Sequence, residues 1–368
     1  MTDSTAMARK LLIGTTVVIL VVGILAVGTA SSFYSLRDTH SDATYLRNHL
    51  IRIVFGIAAC AVLSFRSGTF FKRIALPVYI LSFLAIVATL VFKETQYAPR
   101  INGSVRWLDL GIRILPSDFM RFGFVLVSAL LISNGTVDIR TFKGVLAVAS
   151  LALVPSVFTM IQPDLSGTAF TLFVMLIVLF VAGAKFSHLL ILMSALLLLG
   201  AGAVLVRDDY QLNRIKASLQ GDSLEQDDNY QTLQARIALG SGGFYGRGLG
   251  QSRQKRGFLP EAYTDFILAV IGEESGFLGT TVVMMLFFLL FSSALWMSKS
   301  ASSSFGAVVG GGVTAILITG VMIHTMVNSG VIPVTGMPLP LISWGGTSMM
   351  VSLISIGTVL GISKRSPA

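Results

Sequence analysis

The chain has 368 residues, of which 54% are hydrophobic and only 12% are charged. Soluble domains carry about 25% charged residues, so this chain has too few charges to cover a water-exposed surface. A formal net charge of +9 would suggest a nucleic-acid partner in a soluble protein. In a membrane protein, Lys and Arg set the topology and contact anionic lipid. The composition predicts an all-α integral membrane protein surrounded by membrane lipid, with no nucleic-acid partner.

Because a spanning helix needs roughly 20 apolar residues, the sequence offers about ten candidates. They lie at 11–31, 50–65, 74–92, 114–133, 144–160, 164–182, 187–206, 264–297, 306–329 and 339–362. Segment 264–297 is too long for one straight span, and Asp265, Glu273 and Glu274 make its start too polar to face lipid. We expect an interfacial or re-entrant start, with the true span beginning near Gly276.

Basic residues in the short loops predict which face is cytoplasmic. With the N-terminus inside, the inner loops hold a single acidic residue, Asp138. Their basic residues are Arg66, Lys72, Arg73, Arg140, Lys143, Lys185, Lys299, Lys364 and Arg365. An even number of spans then places both termini in the cytoplasm. The longer polar segments 93–113 and 207–262 are predicted to be extracytoplasmic loops.

Segment 207–262 is acidic in its first half and basic and glycine-rich in its second. The acidic residues are Asp222, Glu225, Asp227 and Asp228, and the basic residues are Arg236, Arg247, Arg253, Lys255 and Arg256. Backbone N–H groups and cations in such a segment can approach phosphate. The alternative is a flexible loop whose charges rest on lipid head groups.

Asp265 opens an apolar helix at the predicted outer interface. A carboxylate in this position either caps the helix, where the dipole stabilises it, or acts as a general base that faces a cavity. The spacing alone favours neither interpretation.

Two further groups of charges lie next to predicted spans. Asp118 and Arg121 stand three residues apart and share a helix face, which favours a structural ion pair. Asp164, in a tight turn between two spans, is a candidate partner for a buried arginine such as Arg47.

The segment from Asn328 to Ser348 contains Pro333, Pro338 and Pro340 among many small residues. It predicts a broken, non-helical stretch at membrane depth, which is tolerated only where protein or water satisfies the backbone. We therefore expect it to line a cavity. The four histidines show no metal-ligand spacing, and no nucleotide-binding signature is present.

These segments resemble the SEDS family (shape, elongation, division and sporulation), whose members FtsW and RodA are polytopic peptidoglycan polymerases. The resemblance covers nearly the whole chain. It rests on Asn102-Gly-Ser with Arg106-Trp107, on Leu115-Pro-Ser-Asp118 with Arg121, on Gln162-Pro-Asp164, on Phe258-Leu-Pro-Glu261-Ala-Tyr-Thr-Asp265-Phe with Gly272-Glu-Glu274-Ser-Gly276, and on Pro333-Val-Thr-Gly336 with Pro338-Leu-Pro-Leu-Ile-Ser343-Trp-Gly345-Gly346-Thr-Ser348. Residues 248–255 are closer to the division-type FtsW branch than to the elongation-type one.

The chain departs from the family pattern in three places. Tyr263 stands where the family has histidine, so no role passes to a histidine here. Asp118 and Arg121 replace a Glu/Lys pair and keep only the signs of the charges. Trp344 replaces a tyrosine.

The resemblance implies a glycosyltransferase that polymerises lipid II into glycan strands at the outer face of the bacterial cytoplasmic membrane, in division or elongation. Transfer inverts the anomeric centre and releases undecaprenyl pyrophosphate, with Asp265 as the catalytic base. One carboxylate suffices because a pyrophosphate leaving group needs charge neutralisation more than protonation. The alternatives are a lipid II flippase and a non-catalytic scaffold for a class B penicillin-binding protein.

The same resemblance implies the partners and the supporting residues. Substrate contacts are expected from Arg106, Trp107, Arg253, Lys255, Arg256, Glu261, Ser343, Gly345 and Gly346. Structural or supporting roles are expected for Arg47, Asp118, Arg121, Asp164, Glu274 and Asn328. The expected partners are lipid II, a lipid-linked glycan chain and a class B penicillin-binding transpeptidase. No covalently bound cofactor is expected, and a divalent cation, Mg²⁺ or Mn²⁺, is compatible with the pyrophosphate chemistry.

Overall fold

The structure is a computed structural model that describes residues 3–101, 103–206 and 227–363. Asn102, Asp222, Glu225, Lys364 and Arg365, which the sequence singled out, lie outside these ranges. The described helices are α1 Asp3–Thr39, α2 Thr44–Ser64, α3 Gly68–Val91, α4 Pro116–Ser133, α5 Phe142–Ile161, α6 Leu165–Val181, α7 Phe186–Val206, α8 Asp227–Ser241, α9 Ile267–Lys299, α10 Ser304–Asn328 and α11 Gly346–Ile362. Between α3 and α4, β1 (Leu108–Asp109) pairs antiparallel with β2 (Arg113–Ile114).

The helices match the ten predicted spans. Within the described ranges, seven helices are long and apolar enough to cross a membrane, and α6, α11 and most of α7 are shorter apolar helices. Together they account for all ten segments, so the prediction of an all-α bundle of about ten membrane helices is confirmed.

Helices α4 and α10 form much of the centre of the bundle, since most of their apolar windows are buried. Glycines on α10 allow this close packing. A methyl group at Gly312 would lie 2.6 Å from Val125 of α4, and one at Gly311 would lie 2.6 Å from Val181 of α6. Small residues at such positions let membrane helices approach closely, because dispersion rather than the hydrophobic effect holds them together in lipid.

Helices α2 and α11 run parallel along their length. Gly56 lies against Leu353, and Gly357 and Gly361 of α11 lie against Cys60 and Leu63 of α2. The contacting residue numbers rise together along the two helices. The start of α11 therefore lies beside the first turns of α2. This register positions the N-terminus of α11 next to the N-terminal half of α2.

Helix α9 is broken at Gly276, where φ is +68° and ψ is −165°. The residues before the break, including Glu273 and Glu274, are buried inside the protein. The break at Gly276 and the buried acids before it agree with the expected interfacial or re-entrant start, and the position of the true span stays a prediction. Only glycine fits here, since a methyl group would lie 2.4 Å from the Gly246 nitrogen.

The glycine-rich segment repairs the broken hydrogen-bond ladder of α9. The carbonyls of Glu273 and Glu274 accept from the amides of Arg247 (3.0 Å) and Gly248 (3.0 Å). On the other side of the break, the amides of residues 277 and 278 donate to the carbonyls of residues 243 (2.9 Å) and 244 (3.1 Å). Backbone groups freed inside a membrane protein need such partners. This part of the predicted loop is therefore an ordered component of the bundle, and not a flexible loop resting on lipid.

Two elements were not predicted. The segment 207–262 contains α8, and the segment 93–113 contains the β1–β2 hairpin. Helix α8 is polar on average, so it gave no spanning signal, and strands of two residues are too short to show alternation.

Candidate active site

Asp265 lies in a tight turn immediately before α9. The amides of Thr264, Asp265 and Phe266 all donate to the carbonyl of Glu261, at 3.1, 3.0 and 3.3 Å. Glu261 has a φ of +54°, which directs the chain sharply into this turn. The N-cap of α9 is Phe266, with no side-chain cap. The helix-cap interpretation of Asp265 is therefore wrong, and its half-buried carboxylate accepts no hydrogen bond from the described residues.

Asn328, at the end of α10, fixes the turn to the start of α9. Its Nδ2 donates to the carbonyls of Asp265 (3.0 Å) and His324 (2.9 Å), and its Oδ1 accepts from the Ala269 amide (3.0 Å). Asn328 is fully buried and all three bonds are internal, so the predicted supporting role agrees with its contacts.

The segment before α11 braces the same turn from the other side. Ser343 Oγ donates to the Thr264 carbonyl (2.6 Å) and accepts from the Leu339 amide (2.8 Å). The Trp344 amide donates to the Tyr263 carbonyl (3.0 Å). Because Ser343 is buried and its hydroxyl already donates one bond and accepts one, its contacts favour a structural role, and the predicted substrate contact stays a prediction. Its role in this structure is to position the turn.

Arg106 lies beside Asp265 across Gly336. A methyl group at Gly336 would lie 3.1 Å from Arg106 Nη2 and 3.8 Å from Asp265 Oδ2, so the cation and the carboxylate flank one glycine. Arg106 also forms an ion pair with the buried Asp164, with 3.1 Å between Nη1 and Oδ1. The partner of Asp164 is thus Arg106, and the predicted Arg47–Asp164 pair is wrong, since Arg47 lies exposed on α2.

A cavity extends from this point into the bundle between α4, α6, α10 and α11. Its lining includes Arg106, Trp107, Asp118, Arg121, Asp164, Gly336, Gly345 and Gly346. Asp265 does not line the cavity itself, but its Oδ2 lies 3.8 Å from the methyl position of Gly336, which does. Seven of the predicted site residues therefore meet in one cavity, although they come from distant parts of the sequence.

Inside the cavity, Asp118 and Arg121 form the predicted ion pair on α4. The Arg121 guanidinium also lies over the Phe170 ring, 4.3 Å from its centroid. Arg121 is almost completely buried, so its charge is compensated within the protein. This agrees with the structural interpretation of the pair.

Asp265 has the electrostatic setting of a base. The pKa of its carboxyl is raised from 3.8 to about 7, mainly by burial and then by the charge of Glu261, while the Arg106 guanidinium acts in the opposite direction. A general base works best with a pKa near the operating pH. Asp265 thus combines a free carboxylate, a suitable pKa and an adjacent cation.

The chain matches the FtsW/RodA/SpoVE family, described as cell cycle proteins, over residues 9–367. The chain belongs to this family. It is 32% identical to "Probable peptidoglycan glycosyltransferase FtsW" of Trichlorobacter lovleyi, over 93% of this chain and 89% of the relative. It is 30% identical to stage V sporulation protein E of Bacillus subtilis, over 100% of both chains. A chain from a solved peptidoglycan synthase complex that coordinates polymerization and crosslinking has the same fold, with a TM-score of 0.78, 25% identity and 96% coverage of both chains.

The FtsW-type membership confirms the resemblance to the division-type branch. Two departures from the family pattern, Tyr263 and Trp344, lie together in one aromatic cluster. Tyr45 packs against both rings, with centroids 5.0 Å from Tyr263 and 5.3 Å from Trp344, and Tyr34 packs on Tyr263 at 5.5 Å. The cluster joins α1 and α2 to the turn that carries Asp265, so these departures meet at the site itself.

Lys255, predicted to bind substrate, is part of a buried clamp that holds the glycine-rich segment of this FtsW-type chain. Its Nζ lies 2.8 Å from Glu274 Oε1, and both side chains are buried. Glu273 accepts hydrogen bonds from Ser252 Oγ (2.5 Å) and from the amides of Arg253 (3.0 Å) and Gln254 (3.2 Å). These contacts favour a structural role for Lys255, whose substrate role stays a prediction, and the supporting role of Glu274 agrees with its contacts.

The remaining predicted substrate contacts lie outside the cavity. Arg253, Arg256 and Glu261 are exposed on the loop side of the Asp265 turn. The structure leaves the two arginines free to attract an anion from outside, and Glu261 accepts a hydrogen bond from Thr264 Oγ1 (2.8 Å).

Sequence reasoning missed two residues of the site, Gly336 and Glu273. Gly336 has a φ of +68° and leaves the space in which Arg106 and Asp265 approach each other. Its place between two prolines was the available signal. Glu273 was noted only as too polar for lipid.

The described residues contain no group of three or more His, Cys, Asp or Glu side chains that could hold a metal ion. Magnesium is commonly held by one or two carboxylates together with substrate phosphates. The carboxylates of Asp118 and Asp164 in the cavity are paired with arginines, so substrate phosphates would supply most of the ligands. The Mg²⁺ or Mn²⁺ ion stays a prediction.

Proposed function

We propose that this chain is a peptidoglycan glycosyltransferase that polymerises lipid II at the outer face of the cytoplasmic membrane. The observation that carries the proposal is the free carboxylate of Asp265 beside Arg106 at the edge of the cavity. Membership of the FtsW/RodA/SpoVE family and the names of the relatives support it. Both termini are proposed to lie in the cytoplasm, following the distribution of basic residues.

In the proposed reaction, the 4-hydroxyl of the GlcNAc of lipid II attacks the anomeric carbon of the donor MurNAc. The new C1–O bond forms as the bond from C1 to the diphosphate oxygen breaks, and the configuration at C1 inverts. The carboxylate of Asp265 takes the hydroxyl proton, and undecaprenyl pyrophosphate leaves with the bonding electron pair. One carboxylate is sufficient here, whereas glycoside hydrolysis by water typically uses two.

Positive charge near the site serves the leaving group. Arg106 is held by Asp164 and directs Nη2 toward Gly336, where it stabilises negative charge that develops on the diphosphate. Arg253 and Arg256 are exposed at the outer surface and attract the anionic substrates to it. A divalent cation held mainly by the substrate phosphates would supply further charge neutralisation, and Asp265 would stay uncoordinated, because a bound cation would lower the pKa that the base needs.

The partner is proposed to be a class B penicillin-binding transpeptidase, since the solved relative belongs to a peptidoglycan synthase complex. Polymerisation and crosslinking would then occur next to each other at the outer face. The substrates would be lipid II and the growing lipid-linked glycan chain.

Incubation of the purified full chain with lipid II, with and without the transpeptidase partner, tests the function. Glycan strands are expected, whereas a flippase in proteoliposomes would move labelled lipid II across the bilayer without forming strands. Absence of strands under both conditions, with Mg²⁺ and Mn²⁺ each supplied, would contradict the proposal.

A further inference from the structure

Helix α2 carries two polar side chains, His49 and Arg52, whose nitrogens are not all satisfied. His49 is fully buried, and neither ring nitrogen has a hydrogen-bond partner among the described residues. Nη1 of Arg52 is likewise buried without a partner there. Such groups are unfavourable inside a protein unless a ligand or water pairs with them. An ionisable residue within a spanning helix is by default a candidate functional residue.

The Arg52 side chain lies at the start of α11, and the helix register places His49 on the same side of α2. Positions 56, 60 and 63 of α2 contact α11 in a parallel register, and His49 lies on the same buried face. Extending this register by two turns toward the N-termini of both helices places His49 beside Gly346. Arg52 lies at the same level, because its Cζ and Nε are 3.8 Å from the position of a methyl group on Gly346.

The start of α11 presents further donors at the same place. The N-cap is Gly345, which supplies no side-chain cap, so the first-turn amides keep the orphan donors and partial positive charge of a helix N-terminus. No carboxylate among the described residues forms an ion pair with Arg52. The Arg52 guanidinium and the first-turn amides of α11 therefore lie close together, beside the Arg113 carbonyl oxygen, which lies 3.4 Å from the methyl position on Gly346.

Trp344 holds Arg52 in this position. The Arg52 guanidinium lies over the indole ring, 4.2 Å from its centroid, and the indole Nε1 donates to the Tyr45 carbonyl (3.0 Å). Tryptophan gives the strongest cation–π contact of the aromatic residues. The replacement of the family's tyrosine by Trp344 thus supplies a larger surface for a cation on α2.

We infer that His49, Arg52 and the N-terminus of α11 form a phosphate-binding site for a polyprenyl diphosphate. Phosphate suits this donor set, because helix N-termini and arginine side chains are common phosphate ligands. Gly346 also lines the cavity, as does Gly336 beside Asp265, so the phosphate would bind close to the reaction centre. Arg52 would act as a binding residue for the lipid-linked substrate or product.

Two sources could supply the phosphate, namely a polyprenyl diphosphate and the head group of an anionic phospholipid. The choice of a polyprenyl diphosphate as the ligand rests on the proposed function. The inference that the site binds a phosphate group does not depend on that function. A binding measurement without turnover separates the two, since lipid II polymerisation can fail while binding at this site persists.

The test titrates the purified full chain in detergent with farnesyl diphosphate, and with farnesol as the uncharged control. Phosphatidylglycerol binding is measured in parallel by native mass spectrometry. Arg52→Gln is expected to weaken farnesyl diphosphate binding about ten- to a hundredfold, because a charge-assisted hydrogen bond is lost. Arg100→Gln, which removes an exposed charge, is expected to leave binding within about twofold.

His49→Phe keeps a ring, removes both nitrogens and is expected to weaken binding severalfold. It also tests the site independently if Arg52→Gln folds poorly. Equal binding of farnesyl diphosphate by wild type and both variants would overturn the site. If the two variants lose phosphatidylglycerol binding and keep farnesyl diphosphate binding, the polyprenyl assignment is overturned and the site is assigned to bilayer lipid.

Discussion

The proposed role of Asp265 as a base rests on a carboxylate that no described residue hydrogen-bonds and on a pKa raised to about 7. Proton abstraction needs the ionised form, so activity should fall below neutral pH and reach a plateau above it. Burial contributes most to the raised pKa, and the exposed Glu261 adds to it through its charge. Arg106 acts in the opposite direction.

Glu261→Gln removes one negative charge near Asp265 and should lower the pKa of that carboxyl. The acidic limb of the pH–rate profile of lipid II polymerisation is then expected to shift to lower pH. Glu94→Gln, at an exposed acid in another loop segment, should leave the profile in place. A shift in the opposite direction, or the same shift in both variants, would show that Glu261 does not act on Asp265 through its charge.

Asn328→Ala removes the three hydrogen bonds that hold the Asp265 carbonyl and the start of α9. We expect kcat to fall about tenfold or more, because small displacements of a catalytic group are costly. The free energy of unfolding should fall by about 1–3 kcal/mol. Ser329→Ala is the matched control, since that exposed hydroxyl bonds only within its own helix. Equal turnover in the two variants would contradict the positioning role.

At the scale of elements, the glycine-rich segment and the broken helix α9 form one unit. Gly276→Ala places a methyl group against the Gly246 nitrogen and strains the backbone at φ +68°. It is expected to cost ~1–3 kcal/mol and to lower the thermal midpoint. Gly240→Ala has open space in α8 and should be neutral or slightly stabilising. Equal midpoints for both variants would contradict the account of the break.

The buried Lys255–Glu274 pair makes a separate prediction. Lys255→Met leaves the Glu274 charge unpaired and is expected to destabilise the protein by ~3–5 kcal/mol. Lys255→Met combined with Glu274→Gln should recover part of that loss. Denaturation of the single and double variants measures the coupling energy. A folded Lys255→Met variant with normal stability and weak substrate binding would support the substrate role.

Much of the arrangement of helices and loops follows from the sequence. The ten spans, the break near Gly276 and the irregular stretch before α11 were predictable, because apolar length, buried acids and prolines are local signals. The side-chain pairs between distant segments were harder to predict. The pairing of Asp164 with Arg106, of Lys255 with Glu274 and of Ser343 with Thr264 depends on tertiary contacts that no local pattern contains.

For the whole molecule, the distribution of charges predicts both termini in the cytoplasm and the Asp265 turn outside. In a Cys60→Ser background, which removes the only cysteine, Arg256→Cys should react with a membrane-impermeant maleimide in intact cells. Arg140→Cys should react only after the membrane is permeabilised. The reverse pattern of labelling would invert the proposed topology and place the base on the wrong side for its substrate.

The central claim is that Asp265 is the general base of glycosyl transfer, and turnover of lipid II by Asp265→Asn tests it most directly. The substitution keeps the shape and removes the base, so the rate should fall about 10²- to 10⁴-fold while lipid II binding persists. Asp42→Asn, at an exposed acid in the connection between α1 and α2, should polymerise like wild type. Glycan strands formed by Asp265→Asn at a rate close to that of wild type would contradict the assignment.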